Sequence, residues 1–148
     1  MSLAEFPSWK KTFGKPKLGE GKPGRPVVLI IAASAIRCVG IIKHLQDLHQ
    51  QCKIGKLFAK HFKLEEQQKL LEEEFIKLAV GTPNRLEKLV ETKALRLDDL
   101  SLVVIDMFVD AKQKTIFEIP EVRKDLFLFL ENCCIKNFRE GKSKISLF

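Results

Sequence analysis

Residues 76–106 read IKLAVGTPNRLEKLVETKALRLDDLSLVVID, and this stretch leaves few folds open to the chain. An apolar run, Leu78, Ala79 and Val80, stops at Gly81-Thr82-Pro83-Asn84-Arg85. A helical pattern follows, and a second apolar run, Leu102 to Ile105, stops at Asp106. That order predicts a strand, a helix and a parallel strand. Thr82 is placed to be the N-cap, and Pro83 fills the first helical position, where its missing N–H costs nothing. A polar cluster after one strand and a carboxylate after the next fall on one sheet edge, where open α/β sheets bind ligands.

The rest of the chain repeats the alternation. Val27 to Ala32 (VVLIIA) is continuous and β-branched, as a strand buried on both faces should be. Ser34 can cap the next helix, whose expected core stripe is Ile36, Val39, Ile42, Leu45 and Leu48. Gly40 inside it predicts close packing. Lys53 to Ala59 is a weaker second strand, and a helix marked by Leu64, Leu71 and Phe75 follows. Its other face, Glu65, Glu66, Glu72, Glu73 and Glu74, reads as solvated. Leu86, Leu89 and Val90 mark the buried side of the helix after Pro83. Beyond Asp106 a loop leads to Pro120, which opens a helix with Val122, Leu126, Phe129, Leu130 and Cys133 as core. Phe127, Leu128 and Cys134 widen its apolar surface, and burial between two elements is the expectation for them. Lys144 to Phe148 alternates into a last strand. The fold class expected is α/β, a doubly wound, mainly parallel sheet of about five strands, with Ser34, Lys60, Thr82 and Asp106 lined up along one edge. Residues 27–148 form that domain. Residues 1–26 form an arm in which Phe6, Trp9 and Phe13 share a helical face, followed by a basic linker, Lys15 to Arg25.

No apolar run approaches the roughly 20 residues of a membrane span, and the polar N-terminus is no secretory signal, so an intracellular protein is expected. The net charge of +7 is unevenly placed: Arg37 to Lys63 carries six basic residues against Asp47 alone. Such asymmetry favours a polyanionic partner, nucleic acid or an acidic protein. Cys38, Cys52, Cys133 and Cys134 lack C-x-x-C spacing, and His44, His49 and His61 lack the i, i+4 spacing of a helical zinc pair. No metal site is expected, and the cysteines read as reduced thiols.

Asp106 closing an apolar strand is the arrangement that holds a nucleotide's Mg²⁺ in P-loop NTPases. Its partner should be a glycine-rich loop ending in Lys-Ser/Thr between a strand and a helix. The nearest approach is Gly14-Lys15-Pro16-Lys17-Leu18-Gly19, followed by Glu20 and Gly21 where Lys and Ser/Thr belong. Pro23 and Pro26 forbid a helix after it. Met107 stands where a second carboxylate would follow Asp106.

The element order resembles the first RecA-like domain of DEAD-box RNA helicases. VGTPNRL stands in place of their Thr-Pro-Gly-Arg RNA-contacting motif and VVIDMFVD in place of Asp-Glu-Ala-Asp. IIAASAIRCVGIIKHL is similar to the segment carrying Pro-Thr-Arg-Glu-Leu-Ala, with Ser34 keeping the hydroxyl and Ala35 replacing the arginine. Ala59-Lys60 replaces the double glycine after the second strand. Together with KLFAKHFKLEEQQKLLEE, EIPEVRKDLFLFLE and the terminal SLF, these segments resemble the Cms-type ribosomal small-subunit family from about Trp9 to Phe148. That family carries DEAD-box-like proteins of early pre-ribosomal particles in the nucleolus, usually with a longer charged N-terminal extension.

The resemblance implies a module of small-subunit ribosome biogenesis, resident in the nucleus and nucleolus, with no catalytic residues, no cofactor and no metal. It implies an RNA-facing role for Ser34, Thr82, Asn84 and Arg85. The Thr82 hydroxyl and the first-turn N–H groups can meet a phosphate, and Arg85 can add a charged contact. Arg37, Lys56 and Lys60 enlarge that footprint, and Asp106 is a degenerate nucleotide or metal position. The partners expected are pre-ribosomal RNA or pre-ribosomal proteins, with no membrane and no small-molecule substrate. Two alternatives stand beside this: a protein scaffold using the helix Val122 to Cys134 and the aromatic arm, and a divergent NTPase using Asp106, alone or completed by another chain.

Overall fold

A computed structural model describes residues 21–49 and 53–148, without the side chains of Leu48 and His49. Four-residue strands alternate with helices: β1 (Val28–Ile31), α1 (Ala35–His44), a short α2 (Gln46–His49), β2 (Ile54–Leu57), α3 (Leu64–Glu73), β3 (Leu78–Gly81), α4 (Pro83–Glu91), β4 (Leu102–Ile105) and α5 (Pro120–Phe129). A π-helical turn, Leu130–Cys134, then leads through α6 (Ile135–Arg139) to β5 (Lys144–Leu147). The five strands form one sheet in the order β2-β3-β1-β4-β5, and every pairing is parallel. Because parallel strands need crossovers, the helices cover both faces. Leu29, Ile31, Ala79, Val103 and Ile105 pack in one core with residues of α3, α4 and α5. Val28, Ile30, Leu78, Val80 and Val104 face the other way, onto α1. The expected doubly wound α/β fold is the fold observed.

The shared register matters most for function. Ile31 lies level with Gly81 and Ile105, and Leu57 with Gly81. The residues that follow these strands therefore emerge together at the carboxyl edge.

Several expectations are corrected. In α1 the buried stripe is Cys38, Ile41, Ile42 and Leu45, whereas Ile36 is 72% exposed and Val39 is exposed too. Both stripes fit a period of 3.6. The observed rotation packs Cys38, Ile41 and Ile42 on the sheet and brings Arg37 on the first turn across to Asp106. Leu48 falls outside the described side chains. Gly40 permits no close approach: the nearest atom to a β-carbon built there is the Arg37 Nη1, 3.8 Å away. In α5 and the π turn after it, Leu126, Phe129 and Cys134 are fully buried, but Phe127 is 50% exposed and Leu128 is exposed. The π turn adds a residue to the helical repeat, so Cys134 is fully buried while Cys133, partly buried, packs against the same core as expected. Among the described residues one helical layer covers this face, and Phe127 and Leu128 lie on its outer side. Phe75 lies beyond α3, whose carboxylates Glu65, Glu66, Glu72 and Glu73 are exposed as expected.

The arm with Phe6, Trp9 and Phe13, and most of the linker, lie outside the described residues. The end of the linker is fastened: the Gly24 N–H donates to the Glu74 carbonyl at 3.4 Å, and its own carbonyl accepts from the Arg96 N–H at 2.8 Å. Gly24 has φ +71, and a β-carbon there would lie 2.4 Å from the Ala94 carbonyl oxygen, so only glycine fits.

Candidate nucleic-acid interface at the carboxyl edge of the sheet

Asp106 leaves β4 only 3% exposed. A carboxylate so buried needs a partner to remain charged, and α1 supplies it. The Arg37 Nε donates to Asp106 Oδ2 at 2.8 Å and Nη2 to Oδ1 at 3.0 Å, a two-point fork. The Phe108 ring closes over the guanidinium, 4.3 Å from ring centre to Cζ. Ser34 orients this helix, since its Oγ accepts the Arg37 backbone N–H at 3.2 Å as the expected N-cap. The result is a cavity of about 540 Å³ lined by Ser34, Ile36, Arg37, Asp106, Phe108 and Val122 among others, with both carboxylate oxygens facing the guanidinium. This does not fit a nucleotide-bound Mg²⁺, which would need those oxygens. Cys38, next to this pair and buried, has its thiol pushed up to about 12 by desolvation and by the Asp106 charge.

The second cluster stands at the start of α4. Thr82 occupies the N-cap position, but its hydroxyl donates to Asn84 Oδ1 at 3.0 Å instead of capping, and the same oxygen accepts the Arg85 N–H at 2.8 Å. Asn84, exposed, thus substitutes for the cap. Arg85 turns inward: its Nη1 donates to the Phe62 carbonyl at 3.1 Å and to the Gln67 Oε1 at 2.9 Å. Gln67, 2% exposed, in turn donates to the Lys56 and Phe58 carbonyls. Arg85 and Gln67 together clamp the turn after β2. A shallow pocket of about 230 Å³ joins the two helix starts, with Ala33, Ala35, Thr82, Pro83 and Asn84 on its walls and Asp125 opposite. Among the described residues, the N–H groups of Ala35, Ile36 and Asn84 have no acceptor.

The sheet therefore brings Ser34, Arg37 and Asp106 into one group and Thr82, Asn84 and Arg85 into another. Lys56 and Lys60 stand apart, beside a separate cavity along β2. Sequence reasoning missed Phe108, Asp125 and Gln67. Only Gln67 left a signal, as a polar residue three after Leu64 and four before Leu71, in the apolar stripe itself.

Lineage adds to this geometry. Residues 2–148 match the model of the family described as CMS1, U3-containing 90S pre-ribosomal complex subunit. The chain belongs to the CMS1 family. Among CMS1-type relatives it is similar to Protein CMSS1 of Danio rerio, 42% identical over 123 residues that make up 82% of this chain and 42% of the relative. The human Protein CMSS1 is 37% identical over 123 residues, again 82% of this chain and 44% of the relative. Protein CMS1 of Chaetomium thermophilum is 35% identical across 99% of this chain and 61% of its own length. The chain thus spans about two to three fifths of the relatives it matches.

Proposed function

We propose that this chain is a catalytically silent, RecA-like module that serves small-subunit ribosome maturation by binding, with the carboxyl edge of its sheet turned to RNA backbone. The family description, a subunit of a U3-containing 90S pre-ribosomal complex, supports the setting and with it a nucleolar and nuclear residence. The observation that carries the reading is the Arg37–Asp106 fork. A DEAD-box-like strand end whose acid is neutralised from within keeps the architecture of a nucleotide site without its chemistry. What the edge still offers, among the described residues, is donors: the Asn84 side-chain amide, the N–H groups of Ala35, Ile36 and Asn84 that have no acceptor there, and the Ser34 hydroxyl, the Thr82 proton being already committed to Asn84. These suit phosphate oxygens without reading bases. Arg37 and Arg85 add charge through the guanidinium nitrogens that their internal partners leave free, and Lys56 and Lys60 extend the field. Asp125 opposes an anion in the small pocket and sets a limit on how deeply a phosphate sits there.

The test is binding of a labelled single-stranded RNA, followed by anisotropy across a salt series. Asn84→Ala, an exposed change, is expected to weaken binding several-fold, and affinity should fall steeply with salt. No RNA binding by the wild type in low salt would sink the reading. A thermal shift with Mg²⁺-ATP would revive the divergent NTPase, because a ligand at 100 times its dissociation constant adds about 2.7 kcal/mol. A second reading, contact with pre-ribosomal proteins, is favoured by one specific observation, the exposed Phe127 and Leu128 on α5.

A further inference from the structure

Between α1 and the edge strand β2 lies a cavity of about 550 Å³ that the carboxyl-edge site does not use. Its inner surface is apolar, formed by Val39, Ile42, Phe58 and Phe62. Phe58 and Phe62 meet edge to face, with ring centres 5.4 Å apart. Lys43, Lys56 and Lys60 come to it from a helix, a strand and a turn, and no acidic residue is among its described lining. The turn is held in an uncommon shape. His61 has φ +64, a left-handed conformation that costs free energy for a residue with a β-carbon. The Phe62 N–H donates back to the Ala59 carbonyl at 3.1 Å, and the Arg85–Gln67 clamp braces the turn from behind. A turn braced by a buried glutamine presents Lys60 and His61 to a concave apolar site, so the backbone that carries them is in place before anything binds.

Resting on the reading that this chain meets RNA, we infer that this cavity receives one unstacked nucleotide of a single-stranded segment, with its base on the apolar floor and flanking phosphates on Lys43, Lys56 and Lys60. Apolar walls with a cationic rim suit either a base with its phosphates or an acidic, apolar peptide. Gln46 in the lining favours the base, because a side-chain amide offers both a donor and an acceptor to a base edge. The volume is within the usual range for a small-molecule site. The cavity and the α4 edge are two separate contacts on one module, so a strand of RNA held at both is fixed in direction as well as in place.

The experiment follows the methyl resonances of Val39 and Ile42 while an RNA of about ten nucleotides is added. Inorganic polyphosphate and poly-glutamate serve as comparison probes, and anisotropy is measured on wild type, Lys43→Ala/Lys56→Ala and Asn84→Ala. A base in the cavity shifts both methyls by its ring current, and polyphosphate leaves them in place. The lysine pair variant should lose on the order of tenfold in affinity, with the log–log salt slope reduced by roughly 0.7 for each phosphate that is no longer neutralised. If RNA binds and Asn84→Ala weakens it, while the methyls stay still and the lysine variant behaves as wild type, the cavity assignment is overturned and the edge reading stands. If the wild type binds no RNA, both fall. If poly-glutamate moves the methyls and RNA does not, the occupant is an acidic protein segment and the nucleotide assignment is overturned.

Discussion

Arg37 and Asp106, 69 residues apart, meet through two parallel hydrogen bonds of 2.8 and 3.0 Å at the carboxyl edge of the sheet. The carboxylate is almost entirely buried and the guanidinium about one-fifth exposed, so the pair is a lid on the core as much as a surface contact. It joins the first turn of α1 to the end of β4, and Phe108 covers it. The pair is a structural rivet between helix and sheet.

Removing one partner should therefore be costly. Arg37→Met leaves an uncompensated buried carboxylate and is expected to lower stability by about 3–5 kcal/mol. The double variant Arg37→Met/Asp106→Leu should recover most of that stability, because a well-packed apolar pair can replace a buried ion pair. Urea unfolding of the two variants checks this. A cost below about 1 kcal/mol for the single change, as an exposed pair would give, contradicts the rivet.

Arg85 gives a second case in which a residue with the look of a ligand contact supports the protein. Arg85→Ala strips the buried Gln67 Oε1 of its donor and is expected to cost about 1–3 kcal/mol. The effect should concentrate in the turn after β2, read as faster amide hydrogen exchange at Phe62 than in β1. Weakened RNA binding by this variant with unchanged stability and unchanged exchange would instead place Arg85 at the interface.

How far the sequence could be read follows from the range of each interaction. Val27 to Ala32 and Leu102 to Ile105 announced their strands because parallel strands buried on both faces must be apolar throughout, a purely local requirement. Ser34 and Pro83 announced helix starts for equally local reasons. The rotation of α1 was not legible, because Ile36 and Val39 compete with Cys38 and Ile41 at the same period, and the contacts that separate them, with the sheet and with Asp106, are distant in sequence. The exposure of Phe127 depends on how many layers cover α5 and on a π turn that no residue type signals. The candidate site behaved in the same way. The register brought Ser34, Thr82 and Asp106 to one edge, as alternation of strands and helices requires. The commitments of Arg37 to Asp106 and of Arg85 to Gln67 are long-range, and sequence spacing carries no trace of them.

The split character of α5 can be measured directly. Phe127→Glu, at an exposed position, should change stability by no more than about 0.5 kcal/mol, apart from what its ring contributes against Phe117, 6.0 Å away between centres. Phe129→Ala, two residues on and fully buried, should cost about 3–5 kcal/mol. Chemical unfolding of both separates them. Once Phe127→Glu is shown to be folded, failure of that variant to associate with pre-ribosomal proteins would favour the scaffold reading. Equal costs for the two would mean that the helix faces the core by another side.

Alkaline pH should weaken this protein through its thiols. Burial pushes Cys38 and Cys134 from an ordinary 9.0 to about 12, with the neighbouring Asp106 charge adding to the shift at Cys38. Between those values the folded state holds protons that the unfolded chain has released. Stability is thus fully present below about pH 9 and falls as pH rises toward 12. Each such thiol contributes a slope of about 1.4 kcal/mol per pH unit within the window. The sequence has no tyrosine, so phenols do not add to the effect. Urea unfolding at intervals between roughly pH 8.5 and 10, before most lysines titrate, should show the decline. The slope should shrink in Cys38→Ala/Cys134→Ala, whatever that variant's starting stability. An equal slope in the variant would assign the alkaline decline to other groups.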